Sequence, residues 1–359
     1  MDPLNWFGMI NFYFNYYKRK VKSIRDRQAG TSNNGSNGDY SQIGLINPSI
    51  GTTNTGDMII SDAVYRHLRS IFKDSFLTHY PSHLHTDYDS KLSMCKNSIV
   101  FVGGSNLLSS RMDHYYQWKL DPSDRFYLKK KIVLMGVGWW QYQDLPNSYT
   151  RHLLKDVLSE EYIHSVRDNY TASMLKSIGV TNVINTTCPT LWNITPEICA
   201  AIPTRKASRV VTTLTYYRAN EEMDRRFLEI LVAHYEKVYL WIQGYEDLAY
   251  LKKIFPDHEK ISLIPPAIES FTDLLEMPDI EYIGTRLHAG IRAIQKGKRS
   301  LIVGVDNRAQ EISRDTNLNV APREKPETIL EFIENDYTTD IQLPLENIRR
   351  WKSQFIKSV

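Results

Sequence analysis

The sequence predicts an α/β chain of two domains, each built on a mostly parallel sheet, facing a common cleft. Two observations point there. Short apolar strands alternate with amphipathic helices along the body, which implies parallel sheets covered on both faces. The alternation then starts afresh near Ser208, after a segment at residues 195–207 that reads as a hinge. With 359 residues the chain is long enough for two domains with separate cores.

In chain order, residues 1–40 form a separate N-terminal piece. Aromatics such as Trp6, Phe7, Tyr13 and Tyr17 precede the basic residues Lys18, Arg19, Lys20, Lys22, Arg25 and Arg27. Two readings of residues 1–27 stand side by side: peripheral contact with an anionic membrane surface, or a helix packed on the body or a second subunit. Residues 28–39, rich in Gly, Ser and Asn, read as a flexible linker.

The first domain, residues 41–200, opens with a strand at 43–46 and a Gly/Thr/Asn-rich loop at 47–57. A helix follows with Ile60, Val64, Leu68 and Ile71 on one face. Further strands are expected at 98–102, 132–137 and 162–166, the last leading into a helix at 171–178. The second domain, residues 201–359, repeats the pattern with strands at 210–214, 238–242, 261–264, 281–283 and 300–303. Helices lie between them, and an amphipathic helix beginning at Pro344 closes the chain. Both domains are Rossmann-like in their winding. Open sheets of this kind bind ligands in the loops beyond their strand ends.

Composition narrows the functions. A net charge of +3 gives no bulk electrostatic case for nucleic acid. Three cysteines, Cys95, Cys188 and Cys199, lack metal or redox spacing, and the reading is metal-independent chemistry in a reducing, cytoplasmic setting. No apolar run reaches the ~20 residues of a membrane-spanning helix. Basic residues follow the N-terminal apolar stretch instead of preceding it, unlike a cleaved signal. The sequons at Asn169, Asn185 and Asn193 are read as chance.

The most informative segment runs from Gly284 to Gly290. A strand ends at Gly284, Thr285 is the expected N-cap, and the helix carries Arg286 and His288 in its first turn, with Leu287, Ile291 and Ile294 on its buried side. Free N–H groups at such a helix start favour an anion, and an Arg fork grips carboxylate or phosphate with two bonds. His288 is the side chain suited to exchange a proton near neutral pH. Arg308, with Glu311 after it, follows the next strand and supplies a second cation, so a ligand with two anionic ends fits. In the first domain Asn54, Gly56 and Asp57 precede a helix. Gly103, Gly104 and Asn106 follow a strand, and Arg167 and Asp168 lie at a strand-to-helix turn.

In order and spacing these segments resemble the polysaccharide pyruvyl transferase family. The matches are Asn54-x-Gly56-Asp57; Gly103-Gly104 followed by Asn106-Leu107; Ser165-x-Arg167-Asp168; and Arg286-Leu287-His288 with a basic residue, Arg308, further on. Two positions depart from it: Ser105 stands where a third glycine is common, and Arg308 where Lys is usual. The resemblance implies a GT-B-like fold and phosphoenolpyruvate as donor substrate, with no separate cofactor. It implies a pyruvate ketal placed on a sugar of a cell-surface exopolysaccharide or its lipid-linked precursor, at the inner face of a membrane. Arg167, Arg286, Leu287, His288 and Arg308 would hold the donor. Asn54, Gly56, Asp57, Gly103, Gly104 and Asn106 would face the acceptor from the first domain. His288, Asp57 and Asp168 are the candidate catalytic groups. His288 either moves a proton or stabilises charge, and Asp168 either removes a proton or orients Arg167. A GT-B glycosyltransferase using a nucleotide sugar, and a non-catalytic glycan-binding protein, fit the same residues.

Overall fold

A computed structural model of the chain describes residues 40–356. The aromatic and basic segment, its proposed membrane contact and the linker expected at 28–39 lie outside the described residues. Among those described, no helix is long and apolar enough to cross a membrane.

The first domain runs β1 (Gln42–Asn47), α1 (Gly56–Ile71), β2 (Phe76–Pro81), α2 (Tyr88–Lys96), β3 (Ile99–Gly103), α3 (Asp124–Tyr127), β4 (Ile132–Met135), α4 (Ser148–Val157), β5 (His164–Val166), α5 (Asn169–Ser177), β6 (Val183–Asn185) and α6 (Pro196–Ala201). Strands pair in the order β2-β1-β3-β4, all parallel. β5 and β6 form a parallel pair that continues beside β4 through a bridge between Val137 and Val166. β3 and β4 are buried along their whole length, as strands covered on both faces must be, which is why they read as unbroken apolar runs. β2 went unpredicted because it is an edge strand with Phe76, Thr78 and His79 at least partly in water, so no apolar alternation marks it. The strand expected to reach residue 137 stops at Met135, where Gly136 turns the backbone at φ 66°.

The second domain runs β7 (Arg209–Thr212), α7 (Glu221–His234), β8 (Lys237–Trp241), α8 (Asp247–Ile254), β9 (Ile261–Ile264), α9 (Ile268–Glu276), β10 (Ile280–Gly284), α10 (Leu287–Gln295), β11 (Ser300–Gly304), α11 (Asn307–Thr316), β12 (Val320–Pro322), α12 (Pro326–Glu334) and α13 (Leu345–Ser353). Its six parallel strands lie in the order β12-β11-β10-β7-β8-β9. In both sheets the strand order reverses beside the first strand, between β1 and β3 and between β7 and β10, and such a reversal opens a crevice at the strands' carboxyl ends.

Two details differ from expectation. The terminal helix α13, grouped by sequence with the second domain, packs on the first: Ile348, Trp351 and Phe355 join Leu45, Val64, Phe101 and Val133 in one buried cluster. Its apolar side had to find an uncovered sheet face, and the first sheet supplied it. Thr285 does not cap α10. Its hydroxyl bonds Thr215 Oγ1 at 2.8 Å and donates to the Thr213 carbonyl at 3.1 Å, across the β7/β10 switch, and Arg286 takes the cap position.

Candidate functional site

The loops at the two switch points enclose a cavity of about 490 Å³, within the roughly 300–1,000 Å³ of small-molecule sites. Asn54, Asp57, Ser105 and Asn106 face it from the first domain and Arg308 from the second. Arg167, Arg286 and His288 lie buried off its wall.

The Asn54 loop does two things. Asn54 Oδ1 accepts from the Gly56 amide at 3.1 Å and from Gln243 Nε2 at 2.8 Å. Asn54 also pairs with Gly244 as an antiparallel bridge, and the Thr55 amide donates to the Gln243 carbonyl at 3.0 Å. The loop after β1 is thereby latched to the loop after β8. A Cβ at Gly56 would sit 2.4 Å from Gln243 Nε2 and push that amide out of the latch. Asp57, next in line, is buried, accepts from Thr52 Oγ1 at 2.7 Å, and stands 4.0 Å from His83 Nε2. Burial pushes its carboxyl above the usual range against the pull of Thr52, His83, Arg308 and Arg286.

Gly103 and Gly104 turn from the cavity and pack against Val64 and Ile60 of α1. They let strand and helix approach and do not line the cavity. Ser105 does line it, in the left-handed conformation at φ 61° that favours glycine. Asn106 accepts a hydrogen bond from Arg167 Nη2. Arg167 is 1% exposed; its Nε is 3.4 Å from Asp168 Oδ2 without hydrogen-bond geometry, and neither Nε nor Nη1 has a hydrogen-bond partner. Burial holds its pKa below the ordinary arginine value. Asp168 accepts from the Thr171 amide at 2.7 Å as the N-cap of α5. Buried behind Arg167 and bonded in this way, Asp168 is placed as a cap and counter-ion, off the cavity wall.

Arg286 is locked at the second switch point. Its Nη2 donates to both oxygens of Asp247, at 2.7 and 2.9 Å, and its Nε to the Leu214 carbonyl at 2.6 Å; Nη1 is buried without a partner. The guanidinium carbon lies 4.9 Å from the centre of the Tyr217 ring. Tyr217 in turn takes Arg308 Nη2 at 3.1 Å, while Asp306 accepts from Arg308 Nε at 2.9 and 3.0 Å. Burial opposes the Arg308 charge, but Asp306 and Tyr217 outweigh it and raise its pKa well above the ordinary value. Leu287 points its side chain into the apolar core, so it can offer a ligand only its backbone. His288 faces inward too, with Nε2 3.6 Å from Cys188 Sγ. Burial first, then Arg308 and Arg167, lower its pKa to about 3, so the imidazole is neutral at physiological pH.

Sequence reasoning missed His83, Tyr115, Trp140, Tyr217 and Arg218 on the cavity wall. Tyr115 and Trp140 stack with centroids 3.5 Å apart and planes at 21°. They come from separate irregular loops, and no local pattern joins them. Tyr217 and Arg218 were discoverable, because they follow the switch strand β7. Among the described residues no group of three or more His, Cys, Asp or Glu side chains is placed to hold a metal.

Two doubly wound sheets sharing a cleft between their switch points define the GT-B-like class. In agreement, the chain is similar in fold to UDP-GlcNAc 2-epimerase from Methanocaldococcus jannaschii, solved with UDP-GlcNAc and UDP: TM-score 0.52, 11% identity, 86% of this chain and 98% of that one covered. A lipopolysaccharide outer core galactosyltransferase in its apo form gives TM-score 0.46 at 8% identity over 81% of this chain and 89% of that one. At such identities the likeness is one of fold alone. A search of curated proteins gives no significant match. The family model for polysaccharide pyruvyl transferase matches residues 54–307, well over half the chain, and the chain belongs to that family.

Proposed function

We propose that this protein moves a pyruvyl group from phosphoenolpyruvate to two hydroxyls of a sugar in a cell-surface glycan or its lipid-linked precursor, forming a ketal and releasing phosphate. The observation that carries the reading is a set of unused cationic donors. Arg167 Nε and Nη1 and Arg286 Nη1 are buried without hydrogen-bond partners, on arginines held by Asn106 after β3 and by Asp247 after β8. Buried donors left unpaired cost about 1–3 kcal/mol each, more when charged, and a carboxylate or phosphate would satisfy them. Arg308 adds a charge at the cavity wall for the second anionic end.

The second domain, with Arg286, the free amides that open α10 and Arg308, takes the donor side, and Arg167 closes on it from the first. Neutral His288 contributes a hydrogen bond or simple bulk to the phosphate side, not a positive charge. The stacked Tyr115 and Trp140 offer a face for a sugar ring on the acceptor side. No resident cofactor is required by this chemistry, since phosphoenolpyruvate carries both the electrophilic carbon and the leaving group. Residues 1–27 are proposed either for peripheral contact with the cytoplasmic membrane face, where a lipid-linked acceptor would be presented, or for packing on the body or a second subunit.

A donor screen tests the reading. Purified protein is offered a panel of glycosides with phosphoenolpyruvate or with sugar nucleotides. Phosphate release from phosphoenolpyruvate, abolished in Arg286→Ala, is expected. Nucleoside diphosphate release instead would establish the glycosyltransferase reading, and glycan binding with neither product the non-catalytic one.

A further inference from the structure

We propose that His83 is a catalytic residue that forms a proton relay with Asp57 across the acceptor side of the cavity, a role that rests on the pyruvyl-transfer reading above. His83 lies in the turn after β2, outside every motif the sequence supplied. Its position is nonetheless well defined. Nδ1 sits 3.1 Å from the Gln117 carbonyl oxygen, which can only accept, so Nδ1 carries a hydrogen and the neutral form of the ring presents its lone pair at Nε2. That Nε2 is 4.0 Å from Asp57 Oδ2. The gap is too long for a direct hydrogen bond and short enough for one hydroxyl oxygen to bridge. Both side chains line the cavity that Arg308 enters from the facing domain.

Other candidates for proton transfer fall away on geometry. His288 turns to Cys188, and Asp168 caps α5. Asp57 is fixed by Thr52 and buried, and burial favours its protonated form. Its place on the cavity wall, within one bridging oxygen of His83, assigns it the part of the acid that gives a proton to the methylene carbon of the donor.

The steps balance as follows. Asp57 gives its proton to C3 of phosphoenolpyruvate, the C2–C3 π pair forms the new C–H bond, and C2 becomes electrophilic. The first sugar hydroxyl attacks C2, and its proton passes to His83 Nε2. The C2–O bond to phosphate breaks, phosphate leaves with the electron pair, and it receives the proton held by His83. The second hydroxyl attacks C2 and returns a proton to Asp57. One hydroxyl proton thus ends on the new methyl group and the other on phosphate, with both side chains restored. The charged and titratable groups facing the pair are Arg308, Asp306, Arg218, Tyr216, Tyr217 and Tyr115 on the cavity wall and Arg286 behind it.

The test compares wild type with His83→Gln and His83→Gly, using phosphate release from phosphoenolpyruvate with a panel of 4-nitrophenyl glycosides, and phosphoenolpyruvate binding by calorimetry. In His83→Gln, kcat should fall on the order of 10²-fold or more while donor affinity stays that of wild type. The acid limb of the kcat/KM pH profile should disappear in that variant, and added imidazole should restore rate to His83→Gly. A His83→Gln rate close to wild type, or an unchanged pH profile, overturns the relay and leaves pyruvyl transfer standing. Loss of donor binding in His83→Gln also overturns it, by making the residue structural. Wild-type protein that releases no phosphate with any glycoside overturns the parent reading and the relay with it.

Discussion

Gly138 tests whether the position of Arg167 matters, without touching its charge. A Cβ at residue 138 would lie 2.1 Å from Arg167 Nη2, 2.3 Å from Cζ and 2.8 Å from Nε. Ordinary contacts are about 3.5–4.0 Å, so Gly138→Ala must push the guanidinium aside by more than about 1 Å. Gly138 has no positive φ, so the added methyl brings no backbone strain and acts by steric displacement alone. The shifted group loses its bond to Asn106 and its aim at the donor. A misplacement of about 1 Å costs on the order of 10²-fold in rate, or about 2.7 kcal/mol of barrier. Overpacking of this kind costs about 1–3 kcal/mol of stability as well, so urea unfolding must accompany the kinetics. The assay is kcat/KM for phosphoenolpyruvate by phosphate release. In an Arg167→Ala background the same substitution should cost little more, because both act through one side chain. A Gly138→Ala protein with wild-type kcat/KM, or full additivity with Arg167→Ala, refutes the donor role of Arg167.

Two further outcomes are expected. His67 and His164 are held to about 4 and His288 to about 3, mainly by burial, so the folded chain keeps them neutral while the unfolded chain protonates them near 6.5. The unfolded state then binds more protons between about pH 6.5 and 4, and stability should fall as pH drops through that window. Urea midpoints at pH 7.5 and 5 check this, and His164→Gln should flatten the slope, since His164 Nδ1 accepts the Leu134 amide and cannot take a proton without losing it. Trp351→Ala should cost about 3–5 kcal/mol of stability, read as a lowered unfolding midpoint, with phosphoenolpyruvate affinity retained because α13 lies off the cavity wall. An unchanged midpoint would contradict the packing of α13 on the first sheet.

How much was legible in the sequence depended on where the physics was local. Strands buried on both faces, such as β3 and β4, announced themselves as apolar runs. The segment from Gly284 to His288 sat where a strand-to-helix turn should bind anions. What stayed hidden was directional. The residues Arg286, Leu287 and His288 are neighbours in sequence, yet Arg286 reaches Asp247, Leu287 enters the core and His288 meets Cys188. Gly56 and Gly103 read as ligand-facing glycines, and close approach of Gln243 and of α1 was the real demand on them. His83, Tyr115 and Trp140 belong to loops whose only organising feature is the cavity they share, which no spacing along the chain encodes.

The return of α13 to the first sheet has a consequence for how the protein is made. Chains emerge from the ribosome at about 5–20 residues per second, and N-terminal domains ordinarily fold first. Here Ile348, Trp351 and Phe355, synthesised after every strand of the second sheet, complete the cluster that begins with Ile43 and Leu45. The first domain must wait until α13 has been made, its apolar face uncovered while the second domain is being produced. A chain terminated just before residue 345 would leave the ribosome with that face bare, and it would be a substrate for chaperones or a seed for aggregation even though both switch points and the whole cavity are present.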